Sequence, residues 1–166
     1  NTGAGHPECG DRLRSIATAL DAPQFANLIR VSPPLGTEQQ IRLIHSLFHI
    51  EAIRAAIPEQ GEYYLDNDTV LSPGSEKAAF RAVGAICDAV DKVMTGQADN
   101  AFCAIRPPGH HAEPGLAMGF CLFNNVAIAA SYASRHYHLE RIAIVDFDVH
   151  HGNGTQDIFW FDKNLF

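Results

Sequence analysis

Hydrophobic residues recur every three or four positions through much of the first half of the chain, which is the spacing of helices with one buried face. The longest such stripe consists of Ala79, Val83, Ile86, Val90 and Val93. Ser72 and Pro73 suit the first turn of this helix, and Gly96 suits its end. The pattern predicts helices over residues 11–20, 47–56 and 73–94, and one more that opens with a capping box formed by Thr37 and Gln40.

The pattern changes after residue 100. Residues 101–105 (AFCAI) and 141–148 (RIAIVDFD) are short apolar runs typical of buried parallel strands, and residues 125–135 between them have helical spacing. This order predicts a strand, helix, strand unit and the α/β fold class. Ligands in such folds bind beyond the carboxyl ends of the strands. The chemistry is therefore expected in RPPGHH and DFDVHHGNG, which lie at those ends.

Composition narrows the class of protein further. The 166 residues are 46% hydrophobic with a formal net charge of −7, which suits one globular domain and disfavours a nucleic-acid backbone as the main partner. No apolar run is long enough to span a membrane, and the first residues do not resemble a secretory signal. The four cysteines form no CxxC pair, so we expect reduced thiols and a cytoplasmic or nuclear location.

The segment DFDVHHGNG carries two carboxylates and an imidazole at alternating positions. If the strand stays extended, Asp146, Asp148 and His150 project to the same side. Asp148 and His150 are then suited to a divalent metal such as zinc, and Asp146 is placed to orient an imidazole. The alternative is a strand end with solvated polar residues.

The segment RPPGHH presents two adjacent imidazoles, His110 and His111, after Pro107, Pro108 and Gly109. Two prolines stiffen the loop, and the glycine permits a sharp turn. One histidine of such a pair can act as a general base near neutral pH while the other shares the charge. The alternatives are an exposed pair without function or a further metal ligand.

Three strings of the sequence resemble the zinc-dependent histone deacetylase family, in particular its class II members and the bacterial deacetylase-like amidohydrolases. They are HPECGDRL at residues 6–13, RPPGHHAEPGLAMGFCLFNNVAIAA at 106–130 and IVDFDVHHGNGTQDIFW at 144–160. The resemblance implies a truncated arginase–deacetylase fold, which is a three-layer α/β/α arrangement around a mainly parallel sheet. His6 opens the first string, where we expect a structural role in the loop.

The resemblance also implies the catalytic roles. Asp148 and His150 become zinc ligands, and His110 and His111 become the catalytic pair, with His111 as general base and acid. Asp146 would hydrogen-bond to His110. Asn153 would lie behind His111, at a position where class I relatives carry an aspartate, so the proton assignment within the pair stays open.

Further residues acquire binding roles in the same way. Gly119 and Phe120 correspond to the lining of a narrow tunnel for the alkyl stem of an acyl-lysine, and Asp68 corresponds to a carboxylate at its rim. The family also binds potassium. The Asp146 carboxylate, with backbone oxygens of Asp146, Asp148 and His150, would supply one such site.

The family's third zinc ligand and its oxyanion-stabilising tyrosine or histidine have no counterpart in these 166 residues. We therefore expect residues 1–166 to be the N-terminal part of a single catalytic domain and to be nearly inactive alone. The expected reaction is hydrolysis of acetyl-lysine in a histone or another protein, with no direct binding to nucleic acid or membrane. Three alternatives remain: hydrolysis of an acetylpolyamine or other small amide, a metal-binding scaffold without catalysis, and an interaction protein.

Two more histidines, His45 and His49, have the spacing of an HExxH zinc motif. Ser46 replaces the glutamate that the motif requires. We expect both to be ordinary residues of a helix.

Overall fold

The computed structural model describes residues 2–165, which form six α-helices, one short 3₁₀ helix and a two-stranded sheet. The helices are α1 Gly10–Leu20, α2 Glu38–Ile41, α3 Leu47–Ala56, α4 Ser75–Met94, α5 Asn125–Tyr137 and α6 Asn153–Phe159. The 3₁₀ helix is Pro23–Phe25, and the strands are β1 Tyr63–Tyr64 and β2 Val70–Leu71.

The hydrophobic core lies between α4 and α5, which pack against each other. The predicted stripe on α4 faces this core through Ala79, Val83 and Ile86. A close contact between two backbones occurs at Gly84, where an added Cβ would lie 2.1 Å from the Pro34 carbonyl oxygen. The segment before α2 is thereby packed directly on the backbone of α4.

The helices predicted from local signals are confirmed. The capping box is present: Gln40 N donates to Thr37 Oγ1 at 3.2 Å, and Thr37 N donates to Gln40 Oε1 at 2.8 Å. The long helix begins at Ser75 instead of residue 73. A turn accounts for the difference, because Ser75 N donates to the Ser72 carbonyl at 2.9 Å and leaves Pro73 outside the helix.

The two predicted parallel strands are wrong for the described residues. The sheet there is antiparallel, with Tyr63 opposite Leu71, and residues 141–148 contribute a single parallel bridge from Ile142 to Leu165. An extended apolar run becomes a strand only when a neighbour completes its backbone hydrogen bonds. No such neighbour lies beside residues 101–105 or 143–148 within 2–165, and Phe147 is 97% exposed.

The cysteines agree with the predicted reduced state. All four are free thiols. Burial raises the pKa of Cys87 and of Cys121 to about 12, so both are protonated at neutral pH. Among residues 2–165 there is no helix with the length and apolar character needed to cross a membrane.

Candidate active site

The loop that carries the histidine pair is fixed at both ends by the start of α5. Asn125 Nδ2 donates to the Pro107 carbonyl at 3.1 Å, and Asn124 Nδ2 donates to the Ala112 carbonyl at 3.1 Å. Between these contacts the loop lies against the helix, because a Cβ on Gly109 would be 2.5 Å from the Asn125 nitrogen. Gly109 is therefore needed for a close approach between two backbones.

A buried carboxylate ties the N-terminal segment to the same loop. Glu8 is only 7% exposed and accepts hydrogen bonds from Arg106 Nε at 2.5 Å and from Arg12 Nη2 at 3.0 Å. Arg12 also donates to the Ile105 carbonyl at 2.9 Å. Two guanidinium groups compensate the buried charge. The sequence offers no signal for this pairing, since Glu8 and Arg106 are far apart along the chain.

The two imidazoles each use Nδ1 to contact a side-chain oxygen. His110 Nδ1 lies 2.8 Å from Asp146 Oδ2, and His111 Nδ1 lies 2.7 Å from Asn153 Oδ1. Their ring centroids are 4.1 Å apart. Because an ionised carboxylate only accepts hydrogen bonds, Nδ1 of His110 carries a proton, and its Nε2 is the nitrogen left for chemistry.

Asp146 and Asp148 are held as anions by the hydrogen bonds that they accept. Burial acts to raise the pKa of Asp146, but hydrogen bonds from His110 and the Asp148 amide outweigh it and lower that pKa. The pKa of Asp148 is lowered by hydrogen bonds from the amide and the ring of His150. His150 Nδ1 lies 2.9 Å from Asp148 Oδ1. Both carboxylates are therefore ionised at neutral pH.

The local backbone of this segment differs from the extended strand on which its prediction depended. Asp148 N donates to Asp146 Oδ1 at 3.0 Å, and His150 N donates to Asp148 Oδ1 at 2.7 Å, so each carboxylate stabilises a local turn. Asp146, Asp148 and His150 nevertheless line one open groove together with Trp160. The ring centroid of His150 is 6.1 Å from that of His111, which connects the groove to the histidine pair.

Gly119 packs directly against the ring of His111. An added Cβ would lie 2.5 Å from His111 Cδ2, and the backbone φ of +54° is in the left-handed region that favours glycine. Phe120 follows with φ of 69°, and its backbone N donates to Thr69 Oγ1 at 3.1 Å. The Gly119–Phe120 turn is thereby fixed between the histidine pair and the loop that contains Asp68.

Asp68 and Phe120 line a separate cavity of about 110 Å³. His6 lines it as well: its Nε2 donates to the Asp68 carbonyl at 2.9 Å, and its ring contacts Phe120 edge-on with centroids 5.0 Å apart. Burial and the neighbouring Asp66 raise the pKa of the Asp68 carboxyl. Asp68 and Phe120 therefore line one cavity, and His6 contacts both of them.

The structure brings seven of the predicted site residues into one cluster and leaves Asp68 and Phe120 at the adjacent cavity. The cluster consists of His110, His111, Gly119, Asp146, Asp148, His150 and Asn153. Within residues 2–165, no three His, Cys, Asp or Glu side chains are grouped so that they could hold a metal ion. The predicted zinc ligands Asp148 and His150 are adjacent to each other, with side chains 51% and 71% exposed.

His49 lies in α3 as predicted, His45 lies just before that helix, and both side chains are buried. They are 2% and 3% exposed and stack with ring centroids 4.8 Å apart. His45 Nε2 accepts from Asn124 N at 2.9 Å, and His49 Nε2 donates to the Leu122 carbonyl at 2.9 Å. Burial, with a smaller contribution from His49, lowers the pKa of His45 to about 4. A neutral imidazole therefore holds the first residues of α5 in place.

Comparison with known proteins identifies the class to which this fold and site belong. The family profile "Histone deacetylase domain" matches residues 6–166, so the chain belongs to the histone deacetylase family. The crystal structure of the HDA15 HD domain superposes with a TM-score of 0.92 at 36% identity, covering 99% of this chain and 48% of that one. The chain therefore has the α/β arginase–deacetylase fold that the resemblance implied.

Two curated relatives are similar along nearly the whole chain. The histone deacetylase-like amidohydrolase of Pseudomonas aeruginosa is 40% identical over 159 residues, covering 95% of this chain and 41% of the relative. Histone deacetylase 5 of Arabidopsis thaliana is 40% identical over 176 residues, covering 98% of this chain and 26% of the relative. The chain thus spans less than half the length of either relative.

Proposed function

We propose that the protein hydrolyses the acyl amide of acetyl-lysine side chains with a bound zinc ion, and that His111 is its general base and acid. Membership of the histone deacetylase family makes hydrolysis of acetylated substrates the expected class of reaction. The observation that supports zinc binding and the role of His111 is the arrangement of the site. His110 and His111 each use Nδ1 to contact a side-chain oxygen, and they lie beside the carboxylate of Asp148 and the imidazole of His150.

Asp148 and His150 are the residues that would hold the zinc ion. A carboxylate and an imidazole are both donors that zinc accepts in catalytic sites, and the lowered pKa of Asp148 favours its anionic form. When bound, zinc would polarise the amide carbonyl and increase the acidity of water. We further propose that residues 1–166 form the N-terminal part of one catalytic domain, with a third ligand and an oxyanion-stabilising residue supplied from sequence beyond residue 166.

The protein's own residues perform the proton transfers in this scheme. His111 accepts a proton from the attacking water at Nε2 and later donates it to the leaving amine. His110, oriented by Asp146 at 2.8 Å, would assist electrostatically beside the reacting groups. We propose that the Asp146 carboxylate and nearby backbone oxygens also bind potassium.

Substrate binding is assigned to the residues on the other side of Gly119. Phe120 would pack against the alkyl stem of the acyl-lysine, and Asp68 would accept hydrogen bonds from the substrate backbone. The support for this assignment is that both residues line one cavity, whose Gly119–Phe120 turn contacts His111. A peptide-shaped substrate uses these contacts more fully than a small acetylated amine does.

The test is a substrate panel with the full-length protein, comparing acetyl-lysine peptides with acetylated polyamines. We expect faster hydrolysis of the peptides and a loss of peptide affinity in Asp68→Asn. Faster hydrolysis of the polyamines would contradict the choice of substrate. Zinc uptake without turnover of either class would identify a metal-binding scaffold and refute the enzymatic proposal.

A further inference from the structure

We propose that Glu113 is a positioning residue for His111, because it fixes the orientation of the Asn153 amide and thereby the tautomer of the imidazole. The inference deepens the proposed function and rests on it for the role of His111 as proton acceptor. Glu113 lies in the string at 106–130, but the resemblance as given above implies no role for it.

Asn153 lies between the carboxylate and the imidazole and contacts both. Its Oδ1 is 2.7 Å from His111 Nδ1, and its Nδ2 donates to Glu113 Oε1 at 3.1 Å. The other partners of Nδ2 are more distant: the Met118 sulfur at 3.4 Å and the His111 carbonyl at 3.5 Å. Glu113 therefore makes the shortest hydrogen bond that the amide group donates.

The chemistry of these three groups permits one orientation of the amide. An ionised carboxylate has no proton to donate, so only the NH₂ side of Asn153 can face Glu113. The carbonyl side must then face His111, whose Nδ1 has to carry the proton. Nε2 of a neutral His111 is left unprotonated and is the nitrogen that can accept a proton from water.

Without a carboxylate at position 113, the amide loses the closest of the acceptors that distinguish its two ends. Rotation of Asn153 by half a turn would present NH₂ to His111 Nδ1, which would then have to accept. The proton of the neutral imidazole would move to Nε2, and the base would be blocked. An aspartate at position 153 would present an acceptor to His111 Nδ1 in either orientation, because both of its oxygens accept hydrogen bonds.

The backbone holds Glu113 in a fixed place relative to Asn153. Glu113 N donates to the Leu116 carbonyl at 2.9 Å, which closes a turn, and the Pro114 carbonyl within that turn lies 3.2 Å from Nδ1 of the buried His45. On the other side, α6 lies directly on the histidine loop, because a Cβ on Gly154 would be 2.3 Å from the Ala112 carbonyl oxygen. The carboxylate and the amide are therefore both on rigid supports.

The experiment compares Glu113→Leu and Glu113→Ala with Glu113→Gln in the full-length protein. Glutamine can accept from Asn153 but can also donate to it, so it favours one end of that amide less strongly than a carboxylate does, whereas leucine and alanine do neither. Glu140→Ala, at an exposed position in the turn after α5, is the control for loss of one negative charge. The first readout is kcat and KM on an acetyl-lysine peptide. The second is the tautomer of His111 in the metal-free protein, obtained from ¹⁵N NMR of its ring nitrogens at a pH where the ring is neutral.

We expect Glu113→Leu and Glu113→Ala to lower kcat about 10-fold with KM nearly unchanged, since correct general base catalysis is worth roughly 10²–10⁴-fold. We also expect both variants to move the His111 proton toward Nε2, and Glu113→Gln to lie between them and the wild type in kcat and in the tautomer. An unchanged tautomer in Glu113→Leu and Glu113→Ala, or a loss of kcat in Glu140→Ala as large as theirs, would overturn the inference. If the wild type hydrolyses no acetylated substrate, the proposed function fails, and the NMR measurement alone decides the role of Glu113.

Discussion

The buried imidazole of His45 should make the stability of the protein depend on pH. In the folded state its pKa is about 4, whereas the ordinary value is 6.5, because burial and the neighbouring His49 disfavour its charged form. Protonation would also place a hydrogen on Nε2, where it would oppose the Asn124 amide hydrogen that this nitrogen now accepts. The folded protein therefore keeps His45 neutral.

The sign and size of the effect follow from the two pKa values. Between pH 6.5 and 4 the unfolded chain binds a proton at His45 that the folded protein does not, so the free energy of unfolding falls as the pH falls through this window. The full difference corresponds to about 3 kcal/mol, at 1.36 kcal/mol for each pH decade. The pH dependence contributed by His45 fades as the pH rises above 6.5 and is absent once the unfolded chain is fully deprotonated there.

The assay is denaturant unfolding of the full-length, metal-free protein from pH 7 to 4.5, for the wild type and His45→Gln. The glutamine oxygen can replace Nε2 as the acceptor for Asn124 N and does not titrate. Other groups titrate in both proteins and cancel in the comparison. We expect His45→Gln to be less stable than the wild type at pH 7. As the pH falls, the difference in the free energy of unfolding should change in favour of His45→Gln by about 2–3 kcal/mol.

His136→Gln is the control, because His136 is exposed near the end of α5. The difference between this variant and the wild type should change little over the same range. A difference between His45→Gln and the wild type that stays constant from pH 7 to 4.5 would refute the assignment of a neutral, buried His45.

Two substitutions of glycine test the close contacts in the site and in the core. Gly119→Ala should lower kcat by about 10²-fold with the fold retained, because its Cβ would lie 2.5 Å from His111 Cδ2 and displace the ring. Steady-state kinetics measure kcat, and circular dichroism checks the fold. An unchanged kcat would contradict this prediction. Gly84→Ala should reduce stability by about 1–3 kcal/mol, because its Cβ would lie 2.1 Å from the Pro34 carbonyl oxygen. Gly74→Ala, where a Cβ meets nothing within 4 Å, is the matched control in the same denaturation assay, and equal losses in the two variants would refute the packing argument.

Local signals in the sequence were sufficient for the helices. The capping box of Thr37 and Gln40 and the stripe on α4 each depend on residues within one or a few turns, so the sequence pattern contains what decides them. The runs at 101–105 and 141–148 have the composition of strands. Whether such a run forms a strand depends on a neighbour, and its own sequence does not specify that neighbour.

The candidate site divides in the same way. His110, His111, Asp148 and His150 could be selected because several ionisable side chains lie close together in the sequence. The groups that orient and support these residues could not be selected from the sequence. Glu8 meets Arg106 only in the folded chain, and the carboxylate of Glu113 gains its contact with Asn153 only when α6 lies on the histidine loop. His45 was expected to be an ordinary helix residue because Ser46 breaks the zinc motif, and its contact with the Asn124 amide forms only in the folded chain.

The proposed catalysis requires the histidine pair and the Asp148–His150 edge to act as one zinc-dependent centre. We would measure hydrolysis of an acetyl-lysine peptide by the full-length protein before chelation, after removal of the metal and after zinc is returned. We expect loss of turnover on chelation and recovery with zinc in the wild type, and no recovery in Asp148→Asn. Turnover that continues at the same rate after the metal has been removed would contradict it.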